Sequence, residues 1–452
     1  MKTTDMNYTP IQLKLPVDME RIIKINDPVY SFSEVMAHID LNKYFVEKEH
    51  ETGRPRYDRE KLLKIVLFAF MEFGYCSLRF IEKLCNTDIR FIWILDEDKA
   101  PSHAKIGDFI KDELSTSLDD IFNDINRYMF GKLGVDLNHA YIDGTKIEAN
   151  ANKYTWVWKK SCIKSRNNVF GKLSAILEDI NAYMALYQRA VFEVRQEYAI
   201  EYVEYILGTF LNAAGMTVED FVHGKGKHKT AIQRLYEKVY DCFKKLKSYA
   251  QKIEICGEDR NSYSKTDNDA TFMRFKKDHM KNDQLLPGYN LQMVVCDEFI
   301  AHYGVYAYAS DMDCFQPLME GFHKRYGFYP KYPVADAGYG SYNNYLYCQQ
   351  HGMEKYMKFT MYEKETKESK YRDNPYRACN FAIDHEGYMV CPNGKRFYFL
   401  RTVPVKGNKF RRTEEHYQCE DCTGCPYREK CHKSAKNRIV HINEDLTKFH
   451  SE

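Results

Sequence analysis

Apolar positions in the first third of the chain recur at helical spacing. Leu62, Leu63, Val66, Leu67 and Phe70 form one stripe after Asp58, Phe80, Ile81 and Leu84 a second after Ser77, and Ile106, Phe109 and Ile110 a third after Ser102. Each run follows a side chain able to accept hydrogen bonds from the unpaired N–H groups of a first helical turn, so three capped helices are predicted. Residues 1–30 show no such period and read as an arm ending at Asp27-Pro28, while residues 31–135 read as an all-α domain.

From residue 136 the period changes. Tyr141-Ile142-Asp143-Gly144 and Pro333-Val334-Ala335-Asp336-Ala337-Gly338 each lead small or apolar residues into an aspartate, a short buried strand that stops abruptly. Between them, Leu173, Ile176, Leu177, Ile180 and Met184, then Ile232, Leu235, Val239, Phe243 and Leu246, mark two long amphipathic helices inserted over residues 160–255 as an antiparallel arm. Extended runs at 289–295 and 299–308 flank Asp297-Glu298 as a hairpin, and Asp311 opens a helix carrying Phe315, Leu318, Met319 and Phe322. The order strand, helical insertion, hairpin, helix, strand predicts an α/β core over residues 136–360, a mixed sheet in which Asp143 and Asp336 end neighbouring strands.

Carboxylates at adjacent strand ends suit a hard divalent cation, Mg2+ or Mn2+, which takes oxygen ligands and keeps waters for chemistry. Asp143 and Asp336 are the candidate catalytic metal ligands, with Lys146 and Glu148 as neighbours. Asp-Gly and Asp-Ala-Gly are also ordinary turn sequences, so the assignment rests on the two motifs together.

Residues 361–452 have their own chemistry. Cys391 precedes Cys419, Cys422, Cys425 and Cys431, and four thiolates so closely spaced suit tetrahedral Zn2+ in a module too small to build a core of its own. The C-x2-C-x2-C spacing also approaches iron–sulfur ligation, but the last gap is longer, which favours zinc. His432 reads as a surface histidine.

Lys plus Arg number 66 against 64 for Asp plus Glu, a formal charge of +2, so nucleic-acid binding has to rest on local patches. Candidates are Arg54 and Arg56 before the first helix, Lys225 and Lys227 in a loop of the insertion, and Arg411, Arg412 and Arg428 around the cysteines; each patch also reads as a solvated surface, and the insertion loop first of all as a charged linker. No apolar run spans a membrane and residues 1–9 lack the features of a secretion signal, so a cytoplasmic protein with reduced cysteines is expected.

DGTKIEANANKY from Asp143, DAGYGSYNNY from Asp336 and the cysteine segment, in that order, resemble the DDE-type transposases of bacterial insertion sequences. GRPRYDREKLLKIVLFAFMEFGYCSLRFIEKLCNTDIRFIWI, followed by PSHAKIGDFI, resembles the helical domain that precedes the core in one branch of that family. The resemblance implies an RNase H-like catalytic core, metal-dependent DNA strand cleavage and strand transfer, double-stranded DNA (terminal inverted repeats and target) as partner, and a homo-oligomer that pairs two DNA ends. It also implies association with the nucleoid, and a glutamate on a helix after the second aspartate. Glu354, Glu363, Glu365 and Glu368 precede the cysteine segment, Glu429 lies inside it, and Glu444 and Glu452 close the chain. The expectation is a core truncated after residue 452, with recruitment of Glu444 as the alternative; the alternative function is a catalytically inactive, DNA-binding relic.

Overall fold

The structure, a computed structural model, describes residues 19–45, 57–96, 98–186, 189, 191–275, 284–405, 410 and 412–451. Arg54, Arg56 and Arg411 lie outside the described residues. The chain divides into two compact units between Asp136 and Leu137.

The first unit holds α1 (Pro28–Ala37), α2 (Arg59–Phe73), α3 (Leu78–Thr87), α4 (Ile89–Ile94), α5 (His103–Phe109) and α6 (Leu118–Leu133). The expected caps form: Asp58 accepts from the N–H groups of Glu60 and Lys61, Ser77 from Phe80, and Ser102 from Lys105. The stripes they introduce bury Leu62, Leu63, Val66, Ile81, Ile106 and Phe109 in one core. Part of the expected arm belongs to that core as well, since Ile23 and Val29 are buried in it and Asp27 caps α1 through the Val29 N–H.

The second unit is mixed α/β. Its main sheet comprises β1 (His139–Glu148), β2 (Thr271–Met273), β3 (Leu286–Cys296), β4 (Phe299–Tyr306), β5 (Tyr332–Ala335) and β6 (Tyr356–Met357). The order is β4-β3-β1-β5-β6, with short β2 beside the start of β3. β1 runs parallel to β5 and antiparallel to β3, and β6 is parallel to β5. The expected β3–β4 hairpin turns on Asp297 and Glu298, at φ of 45° and 70°, the left-handed pair that matches strand twist in a two-residue loop.

β1 departs from expectation. It is ten residues long, and it does not stop at Asp143 but continues to Glu148 along β3. What ends at that point is the pairing with β5, whose last partner pair is Ile142 and Ala335. Nor is the strand buried on both faces. Ala140 and Ile142 are buried, whereas Tyr141 is 55% exposed and Ile147 48%. A helix at Asp311–Tyr326, α10, follows the hairpin. Cys314, Phe315, Leu318, Met319 and Phe322 of that helix are all buried.

Among its described residues the insertion has three α-helices, not two: α7 (Lys159–Leu186), α8 (Ile200–Ala214) and α9 (Ala231–Cys256). Leu173, Leu177 and Ile180 of α7 meet Val203, Ile206 and Phe210 of α8 and Val239 and Leu246 of α9 in a separate core. After β5 comes α11 (Tyr342–Gln350), and the cysteine region forms an antiparallel sheet of β7 (Phe397–Pro404), β8 (Thr413–Cys419) and β9 (Ile439–Ile442), β8 in the middle. Contrary to expectation this region has a small core, built by Phe381, Met389, Phe397, Cys419, Cys422 and Val440. A last helix, α12 (Glu444–Ser451), packs Phe449 against Tyr342 and Tyr345 of α11.

Phe210 is 1% exposed at the centre of the insertion core. Phe210→Ala is expected to cost about 3–5 kcal/mol, read as faster amide exchange throughout α7–α9 with β1 and β3 still protected; unchanged exchange in α7 and α9 would show that the three helices do not share a core.

Candidate active site

The parallel register sets Ile142 beside Ala335, so the next residue of each strand, Asp143 and Asp336, leaves the pair abreast. Each carboxylate is fixed by one oxygen. Oδ1 of Asp143 accepts from the Gly144 N–H at 2.8 Å, and Oδ1 of Asp336 from the Gly338 N–H at 2.8 Å. A Cβ on residue 338 would lie 2.9 Å from Asp336 Oδ1, so the close return of the chain there depends on glycine. Both aspartates are exposed, and among the described residues their Oδ2 atoms accept no hydrogen bond and neither has a cationic partner. Two carboxylates leaving adjacent strands, each with one oxygen that accepts no hydrogen bond among the described residues, are a suitable ligand pair for a hard divalent cation.

Beneath them runs a buried polar network. Gln292 sits opposite Gly144 in the β1–β3 register, and its amide occupies the place of a side chain there, a Cβ on residue 144 falling 2.1 Å from Nε2. Gln292 Nε2 donates to Asn290 Oδ1 at 2.7 Å and to Asp311 Oδ1 at 3.2 Å, while its Oε1 accepts from the Tyr339 hydroxyl. Asn290 Nδ2 donates to Asp311 Oδ1 at 2.7 Å, and Asn344 Nδ2 to the Tyr339 carbonyl at 2.8 Å. Asn290, Gln292, Tyr339 and Asn344 are all buried. Burial, followed by the charges of Asp311, Asp143 and Asp336, holds the Tyr339 phenol far above its ordinary pKa, so it stays a donor. Three carboxylates far apart in the sequence thus act on one hydroxyl. Asp311 opens α10, where the helix dipole favours a carboxylate.

Other residues singled out in the sequence lie elsewhere. Lys146 and Glu148 fall on the face of β1 opposite Asp143, because side chains alternate along a strand, and Glu148 is paired with Lys153 at 2.6 Å. Glu354 faces Lys331 at 3.7 Å, Glu363 pairs with Lys367 and Glu365 with Arg377, and Glu444 is in the first turn of α12. The carboxylate missed in the sequence is Asp311, where Asp-Met-Asp reads only as a helix start. Gln292 and Tyr339 carry no local signal.

Cys391, Cys419, Cys422, Cys425 and Cys431 line one cavity of about 20 Å³, room for one ion or water. No disulfide joins them. Burial, then neighbouring Cys422, pushes the Cys419 thiol up to about 12, so the thiolate form needs a cation beside it. His432 is not a surface histidine. It lines the same cavity with both ring nitrogens buried and without a hydrogen-bond partner, and burial, with Arg428 and Arg438 nearby, keeps it neutral. Arg428 donates to the carbonyls of Cys422, Ser434 and Ala435, and Arg412 pairs with Glu414 at 2.8 Å while lying over the Tyr342 ring. Both arginines therefore hold the module together. Lys225 and Lys227 are exposed between α8 and α9.

Two families match the chain. The one described as "Transposase domain (DUF772)" matches residues 17–112, and the one described as "Transposase DDE domain" matches residues 390–452, beyond both aspartates. No curated protein and no solved structure matches.

Tyr339→Phe keeps the ring but leaves Gln292 Oε1 buried without its donor, which is expected to cost about 1–3 kcal/mol. Gly144→Ala, which displaces the whole Gln292 amide, is expected to cost more. Urea unfolding midpoints equal to the unsubstituted protein's would contradict the network.

Proposed function

We propose that this chain, which belongs to the DDE-type transposases of insertion sequences, holds Mg2+ or Mn2+ between Asp143 and Asp336 and cleaves and joins DNA strands at the ends of its element. The observation that carries the reading is the Ile142–Ala335 register, which sets the two aspartates abreast. The sheet order β4-β3-β1-β5-β6, with β1, β5 and β6 parallel, supports an RNase H-like core.

Bound divalent cations would supply activation of the attacking water or 3′-hydroxyl and stabilisation of the leaving oxygen. The chain's own part is positioning. The Gly144 and Gly338 N–H groups fix one oxygen of each aspartate and leave the other for a ligand. The Tyr339–Gln292–Asp311 network holds the supporting strands, so the carboxylates need not reorganise when substrate arrives. Exposed Lys225 and Lys227 offer phosphate contacts, and pairing two DNA ends calls for a homo-oligomer.

A second reading, a DNA-binding relic without chemistry, draws on the ion pairs that occupy Glu354, Glu363 and Glu365. Nicking separates the two. Removing a ligand from a site worth several kcal/mol of charge stabilisation corresponds to about a hundredfold or more in rate. Asp143→Asn and Asp336→Asn are expected to lower Mg2+- or Mn2+-dependent cleavage of element-end DNA by that amount with DNA affinity unchanged within a few fold. Equal loss of binding would make the aspartates structural, and absence of cleavage by the unsubstituted chain would favour the relic.

The cysteine cavity is proposed to hold Zn2+ through four of its five thiols, with His432 able to replace one. Co2+ bound there is expected to show thiolate-to-metal charge transfer that Cys425→Ser weakens; no such band at any Co2+ ratio would contradict the assignment.

A further inference from the structure

Strand β8 presents a second donor set on the face opposite Cys419. Glu414 and His416 are alternate residues on that face, and His441 on β9 is the cross-strand partner of His416. The two imidazoles stack at 4.0 Å between centroids and 7° between planes. Glu414 lies 3.6 Å from His441 Nδ1 through Oε2, and one ligand atom from each of the three residues falls within 4.8 Å of the others.

Stacking alone leaves two features unexplained. His416 is 9% exposed, and its Nδ1 is buried without a hydrogen-bond partner, a costly state for a polar atom. Glu414 is also oriented: Arg412 takes Oε1 at 2.8 Å and leaves Oε2 turned toward the histidines. Such support of a ligating carboxylate from behind is how metal ligands are commonly held.

We infer that Glu414, His416 and His441 form a binding site for a divalent transition-metal ion of the zinc class, distinct from the aspartate pair and the thiol cavity. Two imidazoles and one carboxylate prefer such an ion to Mg2+, which favours oxygen alone. Bonds of about 2.0–2.1 Å at tetrahedral angles put ligand atoms about 3.4 Å apart. The set therefore closes by roughly an ångström, which rotation of the half-exposed His441 ring out of the stack accomplishes without moving the strands. Arg401, opposite His416 on β7, and Arg412 oppose a dication, so this site is weaker than the thiol cavity. It would tie β9 to β8, and β9 leads directly to α12, whose Phe449 packs on the helix that follows Asp336.

The test is Co2+ titration of the metal-free full-length chain. One class of bound Co2+ is expected to absorb through d–d transitions without thiolate charge transfer. His441→Ala and Glu414→Gln are each expected to weaken that class by more than about tenfold while any thiolate band stays unchanged. Superimposable titrations of the unsubstituted chain and both variants would overturn the inference. Parallel loss of both spectral classes in both variants would assign these residues to holding the fold and overturn it equally.

Discussion

Asp143 and Asp336 leave adjacent strands at the same level because β1 and β5 pair in one parallel register, and a slip of a single residue would turn one of the two to the other face of the sheet. Only four residue pairs make up that register, so four pairs of backbone contacts would be a weak guarantee by themselves. The guarantee comes from across the strand. Tyr339, just past the end of β5, donates to Gln292 of β3 over the gap left by Gly144 of β1. One buried bond thus spans three strands and locks the exit of β5 to the far side of β1.

That bond belongs to a network with an electrostatic purpose. Burying Asn290, Gln292, Tyr339 and Asn344 would be unfavourable if any were left unpaired, yet each finds partners. Asp311 is engaged by two amides, so its charge is partly met inside the protein. Asp143 and Asp336 receive only one backbone N–H apiece. The imbalance leaves unmet negative charge at the solvent-facing side of the sheet, which is what the proposed cation site requires.

The elements legible in the sequence are those governed by local chemistry. Asp58, Ser77 and Ser102 cap helices in the structure as their types suggest, and Asp297-Glu298 turns the hairpin. Helix α8 lacks such a mark although Val203, Ile206, Leu207, Phe210 and Leu211 are periodic, because its N-cap position is Ala199, which has no side chain to accept a hydrogen bond. Gly144 looked like a turn glycine. Its use is non-local: it makes room for an amide that arrives from a strand more than a hundred residues later. Asp311, Gln292 and His441 were opaque for the same reason, since their roles exist only after strands distant in sequence have paired.

The two family matches lie at the two ends of the chain, and the aspartate pair lies between them, so the pair rests on the fold and on chemistry. The most direct test is to replace the cation by Fe2+ and let bound iron, with ascorbate and peroxide, cut the backbone where it sits. Cleavage clustered at both Asp143 and Asp336 is the expected result, because one ion would touch both strands. Cleavage at one of these positions alone, or at neither, would contradict a shared site.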